Sequence, residues 1–302
     1  MLPNQRLAHL ALFAVALIYS ANYLVAKWVM PYPISANAFI LLRVAGASLL
    51  FWILVGKKRG IPEKKDLILF AFCGLTGVAT NQLFFFNGLA LTTPVNASII
   101  MTTNPILVGI LFYFGIRRIP SWKTFLGIIV GTIGAVGILL LRPHQEQNSA
   151  HLIGDIFILI NSLSYGVYLI TVPRLMTKYS PIFVITWVFT FGLLFVLPFG
   201  WNELNTIPWG NLTSLHWFSL LFIIIAVTFL TYLFNIFALK HVSPTLTSAY
   251  IYLQPLLAGV FAYLFVGVSN QDHTSSITWT KIIFALFIFL GVYLVSKEKS
   301  KN

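Results

Sequence analysis

Carboxylates are scarce in this chain. Seven Asp and Glu occur in 302 residues, and charged residues of both signs make up 9% of the sequence, against about 25% in a soluble domain. Water cannot solvate a surface built from so few charges, which excludes an ordinary soluble fold. Cysteine occurs once, as Cys73, so an internal disulfide framework and a cysteine-built zinc or iron–sulfur centre are excluded as well. The seven acids (Glu63, Asp66, Glu146, Asp155, Glu203, Asp272 and Glu298) fall between apolar runs or close to their ends, and so do the six histidines. No carboxylate or imidazole sits midway along a run, which argues against a central proton relay. HExxH, nucleophile-elbow and Walker patterns are all missing. No catalytic residue, metal or cofactor is therefore expected, and the chain does not read as an enzyme.

What fills the sequence instead is apolar: 58% hydrophobic and 16% aromatic residues, with a mean hydropathy of +0.88. A helix crossing a bilayer core of ~30 Å needs about 20 mostly apolar residues. Ten such runs occur, at 7–29, 35–55, 67–91, 94–115, 122–141, 152–172, 181–200, 214–239, 244–266 and 278–296. They are continuously apolar rather than alternating, so they predict helices and not barrel strands. The expected fold class is an all-α integral membrane protein with ten transmembrane helices. The first run continues past Tyr23 without a small-x-small cleavage site, and reads as a helix rather than a removable leader.

Basic residues set the orientation, because cytoplasmic loops retain them. With the N-terminus inside, the cytoplasmic set holds Arg6, Lys57, Lys58, Arg59, Lys64, Lys65, Arg117, Arg118, Lys123, Arg174, Lys178, Lys240, Lys297, Lys299 and Lys301, which is 15 of 19. Arg142 and Lys281 fall on the other side, and Lys27 and Arg43 within runs. Both termini are thus expected in the cytoplasm. The net charge of +12 reads as membrane topology facing anionic lipid headgroups, not as a nucleic-acid surface.

The chain is also written twice. A shift of 150 residues lays 83–115 on 233–265 with nine identities, among them Pro94/Pro244, Ser98/Ser248, Pro105/Pro255, Gly109/Gly259 and Tyr113/Tyr263. Asn104/Gln254 is a conservative further pair, Trp122/Trp279 and Gly134/Gly291 match at equal spacing, and Tyr19-Ser20-Ala21 faintly resembles Tyr165-Gly166-Val167. The expected repeats are residues 1–143 and 150–297. Five helices per repeat force the second to lie inverted relative to the first, the arrangement of many secondary transporters.

Pro94 and Pro244 suit first helical turns. Pro105 and Pro255 lie eleven residues further, about 16 Å along a helix, and are expected to break it near the midplane, freeing the carbonyls of Met101 and Ile251. Paired breaks in equivalent helices point to a transporter's binding site, with simple packing kinks as the alternative. The polar residues near these breaks are Thr102, Thr103 and Asn104 in one half and Tyr250, Tyr252 and Gln254 in the other. Asn22, Tyr23, Asn81, Gln82, Asn87, Asn161, Tyr165, Tyr168, Tyr232 and Asn235 add a concentration of polar groups in runs 1, 3, 6 and 8. Arg43, about 12 Å into the second run, costs ~2.5–3.5 kcal/mol in hydrocarbon and must face the protein interior. There it either meets an anionic group of a substrate or braces polar groups of neighbouring helices. Lys27 is expected to snorkel to the headgroups, and Asp155 to pair with one of these two cations. Gly127, Gly131 and Gly134 form a smooth face for close packing within the bundle or in a homodimer.

These residues resemble the drug/metabolite transporter superfamily, specifically its EamA-type members. The carriers of the resemblance are Gly88-Leu89-Ala90-Leu91 with Pro94, Ala97-Ser98, Pro105 and Gly109, followed by Trp122, Gly127 and Gly134. Ala238-Leu239-Lys240-His241 with Pro244, Pro255, Gly259 and Gly291 is similar to the second copy. Tyr19-Ser20-Ala21-Asn22-Tyr23 stands where the family usually has Trp-Gly-Ser-Asn-Phe, and Arg43 matches a common arginine of its second helix. Two departures occur: Arg117 replaces an acidic residue after the fourth helix, and Ser269–Ser276 is an insertion after the ninth. The resemblance implies a secondary transporter, often an exporter, of small metabolites such as amino acids across a prokaryotic inner membrane. A translocator of lipid or lipid-linked sugar is the alternative.

Overall fold

The computed structural model describes residues 3–56, 60–116, 121–140, 149–242, 244–269 and 279–296. Lys57, Lys58, Arg59, Arg117, Arg118, Arg142, Lys297, Lys299 and Lys301, which weigh in the orientation argument, lie outside them. So do Glu146, Asp272, Glu298, His144 and His273.

Regular secondary structure among the described residues is helical throughout. The helices are α1 (Pro3–Val29), α2 (Ala36–Val55), α3 (Leu67–Leu91), α4 (in two pieces, Pro94–Met101 and Asn104–Ile116), α5 (Trp122–Leu140), α6 (Ser149–Thr171), α7 (Pro181–Gly200) and α8 (Ser214–Leu239). α9 follows as Pro244–Ala249, a 3₁₀ turn at Tyr250–Tyr252 and Leu253–Ser269, and α10 is Trp279–Ser296. Among the described residues, seven helices are long and apolar enough to cross a membrane, those of α1–α4 and α6–α8, and shorter apolar helices lie within α5, α9 and α10.

Local chemistry sets the helix starts. The Ser35, Thr93 and Ser180 hydroxyls accept from the backbone N–H three residues on, and Thr213 and His216 form a reciprocal capping box. These caps occupy otherwise orphaned donors. Pro94 and Pro181 follow their caps in the first turn, where a missing N–H costs nothing. At Pro105 and Pro255 the chain does more than kink. α4 is interrupted at Thr102–Thr103, and α9 tightens to 3₁₀ just before its proline.

Packing follows the duplication. α2 lies against α7, and α5 against α10. The other principal pairs come in mates that interchange when the halves do: α3 with α6 and α8 with α1; α4 with α6 and α9 with α1; α3 with α7 and α8 with α2. The glycines of α5 have an internal use. A Cβ on Gly134 would lie 2.8 Å from Ile288 Cγ1, one on Gly137 would strike the Phe284 ring, and one on Gly291 would be 2.6 Å from the Gly131 amide nitrogen. At the spacing that pairs Gly134 with Gly291, Phe284 and Ile288 of α10 stand where α5 has Gly127 and Gly131, and they fill the notches at Gly137 and Gly134. α3 and α6 cross as closely, with Gly88 and Gly154 each facing the other's carbonyl oxygen.

Two helices carry a feature hydropathy does not reveal. α3 widens to a π turn at Leu75–Ala79, and α8 does so over Ile223–Leu230. The 150-residue shift places the first inside the second.

Candidate functional site

Between the two halves is a partly open cavity, with about 680 Å³ of empty space when its open part is included, lined by α1, α2, α3, α4, α6, α8 and α9. Helical spacing delivers its walls. Leu12, Val15, Ala16, Tyr19, Asn22 and Tyr23 recur at three- and four-residue intervals along one face of α1, and Thr247, Tyr250, Ile251 and Gln254 do the same on α9. Phe85, Phe86 and Met101 add apolar surface. Arg43 is the charged residue of the lining, which contains no carboxylate and no imidazole among the described residues.

Eleven of the seventeen polar residues named from sequence line this space: Asn22, Tyr23, Arg43, Asn81, Gln82, Asn161, Tyr165, Tyr232, Asn235, Tyr250 and Gln254. Asn87, Thr102, Thr103, Asn104, Tyr168 and Tyr252 do not. The Thr102 hydroxyl donates back to Ile99 O at 2.5 Å, and Asn104 Nδ2 donates to Ser162 O at 2.6 Å. The first bond stays at the α4 break and the second ties that break to the α6 backbone. Tyr168 is buried against Gly77, where a Cβ would be 2.3 Å from its ring, and stacks near Tyr165. Pro105 and Pro255 are absent from the walls, but Met101 and Ile251, each four residues earlier, are present. Sequence reading passed over Tyr19 and Thr247, which spacing alone would have added to the faces of Tyr23 and Tyr250.

Polar groups at the walls knit the halves together. Tyr23 OH donates to Gln254 Oε1 at 2.9 Å. Gln82 Nε2 donates to Tyr232 OH at 2.7 Å, and that hydroxyl donates to Gly77 O at 2.8 Å, in the π turn of α3. Asn161 Nδ2 donates to Asn81 O at 2.7 Å. At one end Tyr250 OH lies 2.6 Å from His9 Nδ1. Of the buried atoms without a hydrogen-bond partner among the described residues, four belong to the lining: Arg43 Nη1 and the side-chain oxygens of Asn22, Gln82 and Asn161. The four residues that carry these atoms, one cationic and three amides, all line the cavity.

Arg43 is 2% exposed. Its Nε donates to Thr228 Oγ1 at 2.9 Å, and its guanidinium carbon lies 4.2 Å from the centroid of the Phe86 ring. Of the two roles read for it, bracing a neighbouring helix is therefore met by one edge, while Nη1 remains free of protein partners.

Lys27 departs from expectation. It does not snorkel; its Nζ donates to Leu89 O, Ala90 O and Thr92 O at 2.8, 2.9 and 2.9 Å. The cation caps the C-terminal end of α3, where unpaired carbonyls and the negative helix pole favour it. Thr92 in turn donates its hydroxyl to the fully buried Asp155.

The sequence profile of the EamA-like transporter family matches this chain twice, at residues 6–140 and 152–297. Among similar proteins, the uncharacterized transporter YetK of Bacillus subtilis is 27% identical over 239 residues, 77% of this chain and 71% of its own. A probable terminal-alkyne amino-acid exporter of Streptantibioticus cattleyicolor is 25% identical over 209 residues, covering 68% and 67% of the two chains. A solved structure titled only as a crystal structure of a protein has the same fold, with a TM-score of 0.63 at 16% identity and 96% of both chains covered. With both halves matched by one family profile and a fold shared end to end, this multi-pass membrane protein belongs to the EamA-like transporter family.

Proposed function

We propose that the central cavity is the substrate site of a secondary transporter working by alternating access, and that the substrate is a small amphipathic metabolite bearing a carboxylate, such as an amino acid. The carrying observation is Arg43, a buried cation at the cavity wall with Nη1 unpartnered. An unmet buried donor is costly, more so when charged, and an entering anionic group would satisfy it. The unpartnered oxygens of Asn22, Gln82 and Asn161 suit an ammonium or hydroxyl on the same ligand, and Leu12, Val15 and Phe85 suit its apolar part. Export is the direction adopted, supported by the name of the Streptantibioticus relative. Both termini are placed in the cytoplasm of a prokaryote, on the distribution of basic residues. The family and its transporter-named members support translocation rather than bond-making chemistry.

Purified protein in sealed proteoliposomes tests the reading through counterflow of L-leucine, L-phenylalanine and L-threonine. Saturable flux that Arg43→Gln abolishes is the expected result. Scrambling of labelled lipid without saturable flux of any of these solutes contradicts it.

A further inference from the structure

We propose that Thr228, a residue of the opposite half with no place in the sequence-derived site, is the positioning residue that sets the orientation of the Arg43 guanidinium toward a bound carboxylate. The inference rests on the reading of Arg43 as the anion anchor.

Thr228 is fully buried in α8. A hydroxyl has one proton to give, and here it goes to Ile223 O, five residues earlier, at 2.7 Å. A helical threonine normally bonds the carbonyl four residues back; the π widening of Ile223–Leu230 brings the fifth into reach instead. With its proton committed, the Thr228 oxygen presents lone pairs, and Arg43 Nε–H meets it at 2.9 Å. The guanidinium carbon sits over the Phe86 ring, 4.2 Å from its centroid. One contact holds the Nε edge and the other holds the group over the ring, so two points restrict the side chain whose Nη1 has no partner. A long side chain fixed before binding loses less rotamer freedom when its ligand arrives.

Both halves carry the π turn, but only one carries a hydroxyl at this position. The residue 150 positions before Thr228 is Val78, which packs on the position of a Gly192 Cβ. The duplication thus supplies one anchor support rather than two, consistent with a ligand carrying a single anionic group. The bond crosses between halves at a close contact, where a Gly46 Cβ would be 2.7 Å from Ile224 Cγ2. Rocking that parts α2 from α8 therefore releases the guanidinium.

The test compares counterflow KM and maximal flux for L-leucine, L-phenylalanine and L-threonine with those for their C-terminal amides, in wild type and in Thr228→Val, Thr228→Cys, Thr228→Ser and Arg43→Gln. Thr228→Val is expected to lower the preference for carboxylate over amide about tenfold, chiefly through KM. Thr228→Cys, the fallback should the valine variant not fold, falls between, and Thr228→Ser restores the preference. A merely structural loss would weaken both substrate forms alike. Should Arg43→Gln lose the preference while Thr228→Val and Thr228→Cys keep it, the positioning role is overturned and the anchor stands. Should Arg43→Gln keep the preference, or the wild type carry none of the three acids, the anchor falls and the positioning role with it.

Discussion

Gln82 Nε2 donates to Tyr232 OH at 2.7 Å, and the two residues are 150 positions apart, the same offset that aligns the two halves of the chain. Equivalent positions of the duplicated sequence therefore touch each other, as they must on the axis that relates two repeats. The Tyr232 hydroxyl also donates to Gly77 O, so one side chain of the second half serves both an amide and a π-turn carbonyl of the first. Tyr232→Phe removes the hydroxyl from both buried contacts. A loss of about 1–3 kcal/mol is expected, read as a lowered melting temperature of the detergent-solubilised protein. An unchanged melting temperature would mean that the halves are not joined there.

Lys27→Met separates a carbonyl cap from a snorkelling lysine. Three carbonyls at the end of α3 lose their donor, and a cost of about 1.5–3 kcal/mol follows. Lys240→Met, at an exposed lysine, is the control and is expected to change little. Equal melting temperatures for the two variants would return Lys27 to the headgroups.

The α5–α10 seam admits a steric test. A methyl group at Gly291 would lie 2.5 Å from Gly127 O and 2.6 Å from the Gly131 nitrogen, and backbone cannot swing aside as a flexible side chain would. Gly291→Ala is expected to cost about 1–3 kcal/mol or more. Gly259→Ala, with nothing within 4 Å of the new carbon, is expected to cost nothing. A seam that tolerates both equally would contradict the packing described.

Much of this architecture is legible in the sequence because bilayer thickness imposes a length on every crossing. The ten apolar runs coincide with helical segments to within a few residues, and most polar residues in equivalent runs converge on the cavity, since a bilayer leaves them nowhere else to go. What escapes is whatever depends on neighbours rather than on the run itself. Lys27 lies near a run end, as a snorkelling lysine does, and nothing local says that α3 terminates beside it. Thr102 and Asn104 are polar and close to the midplane, yet the Thr102 hydroxyl turns back to Ile99 O and the Asn104 amide nitrogen to Ser162 O on α6. The π turns shift hydrophobic periodicity by one residue, too little to stand out in an apolar run. Thr228, which depends on such a turn, is invisible for the same reason.

Outside the spans, Lys178 Nζ lies 2.6 Å from both Glu63 Oε2 and Asp66 Oδ2, and Tyr179 OH donates to Asp66 at 2.7 Å. These contacts tie the segment before α3 to the one before α7. Hydrogen bonding to Lys178 holds both carboxyls below their ordinary range, and the Asp66 and Glu63 carboxylates hold the Lys178 ammonium above its own. A depressed carboxyl contributes above its unfolded value, about 4, and loses that contribution as pH falls through the folded value. A raised ammonium contributes fully below about 10.4 and loses it only as pH rises through the folded value. The tie is thus expected to hold across the neutral range and to open in acid. Amide hydrogen exchange at 60–66 should speed up below pH ~4 in wild type, after correction for intrinsic exchange, and should already be fast at neutral pH in Lys178→Met. Matching exchange in the two proteins at pH 7 would show that the contacts carry no weight.

The central claim is that solute passes through the cavity between the halves, and the most direct measurement is flux with that cavity filled. Ala16 lies on its wall and is 1% exposed, so an indole in place of the methyl group has only the cavity to enter. Counterflow of L-leucine, L-phenylalanine and L-threonine by Ala16→Trp in proteoliposomes should fall to background, with the variant still monodisperse in detergent. Wild-type flux through the plugged protein would place the route elsewhere and contradict the account.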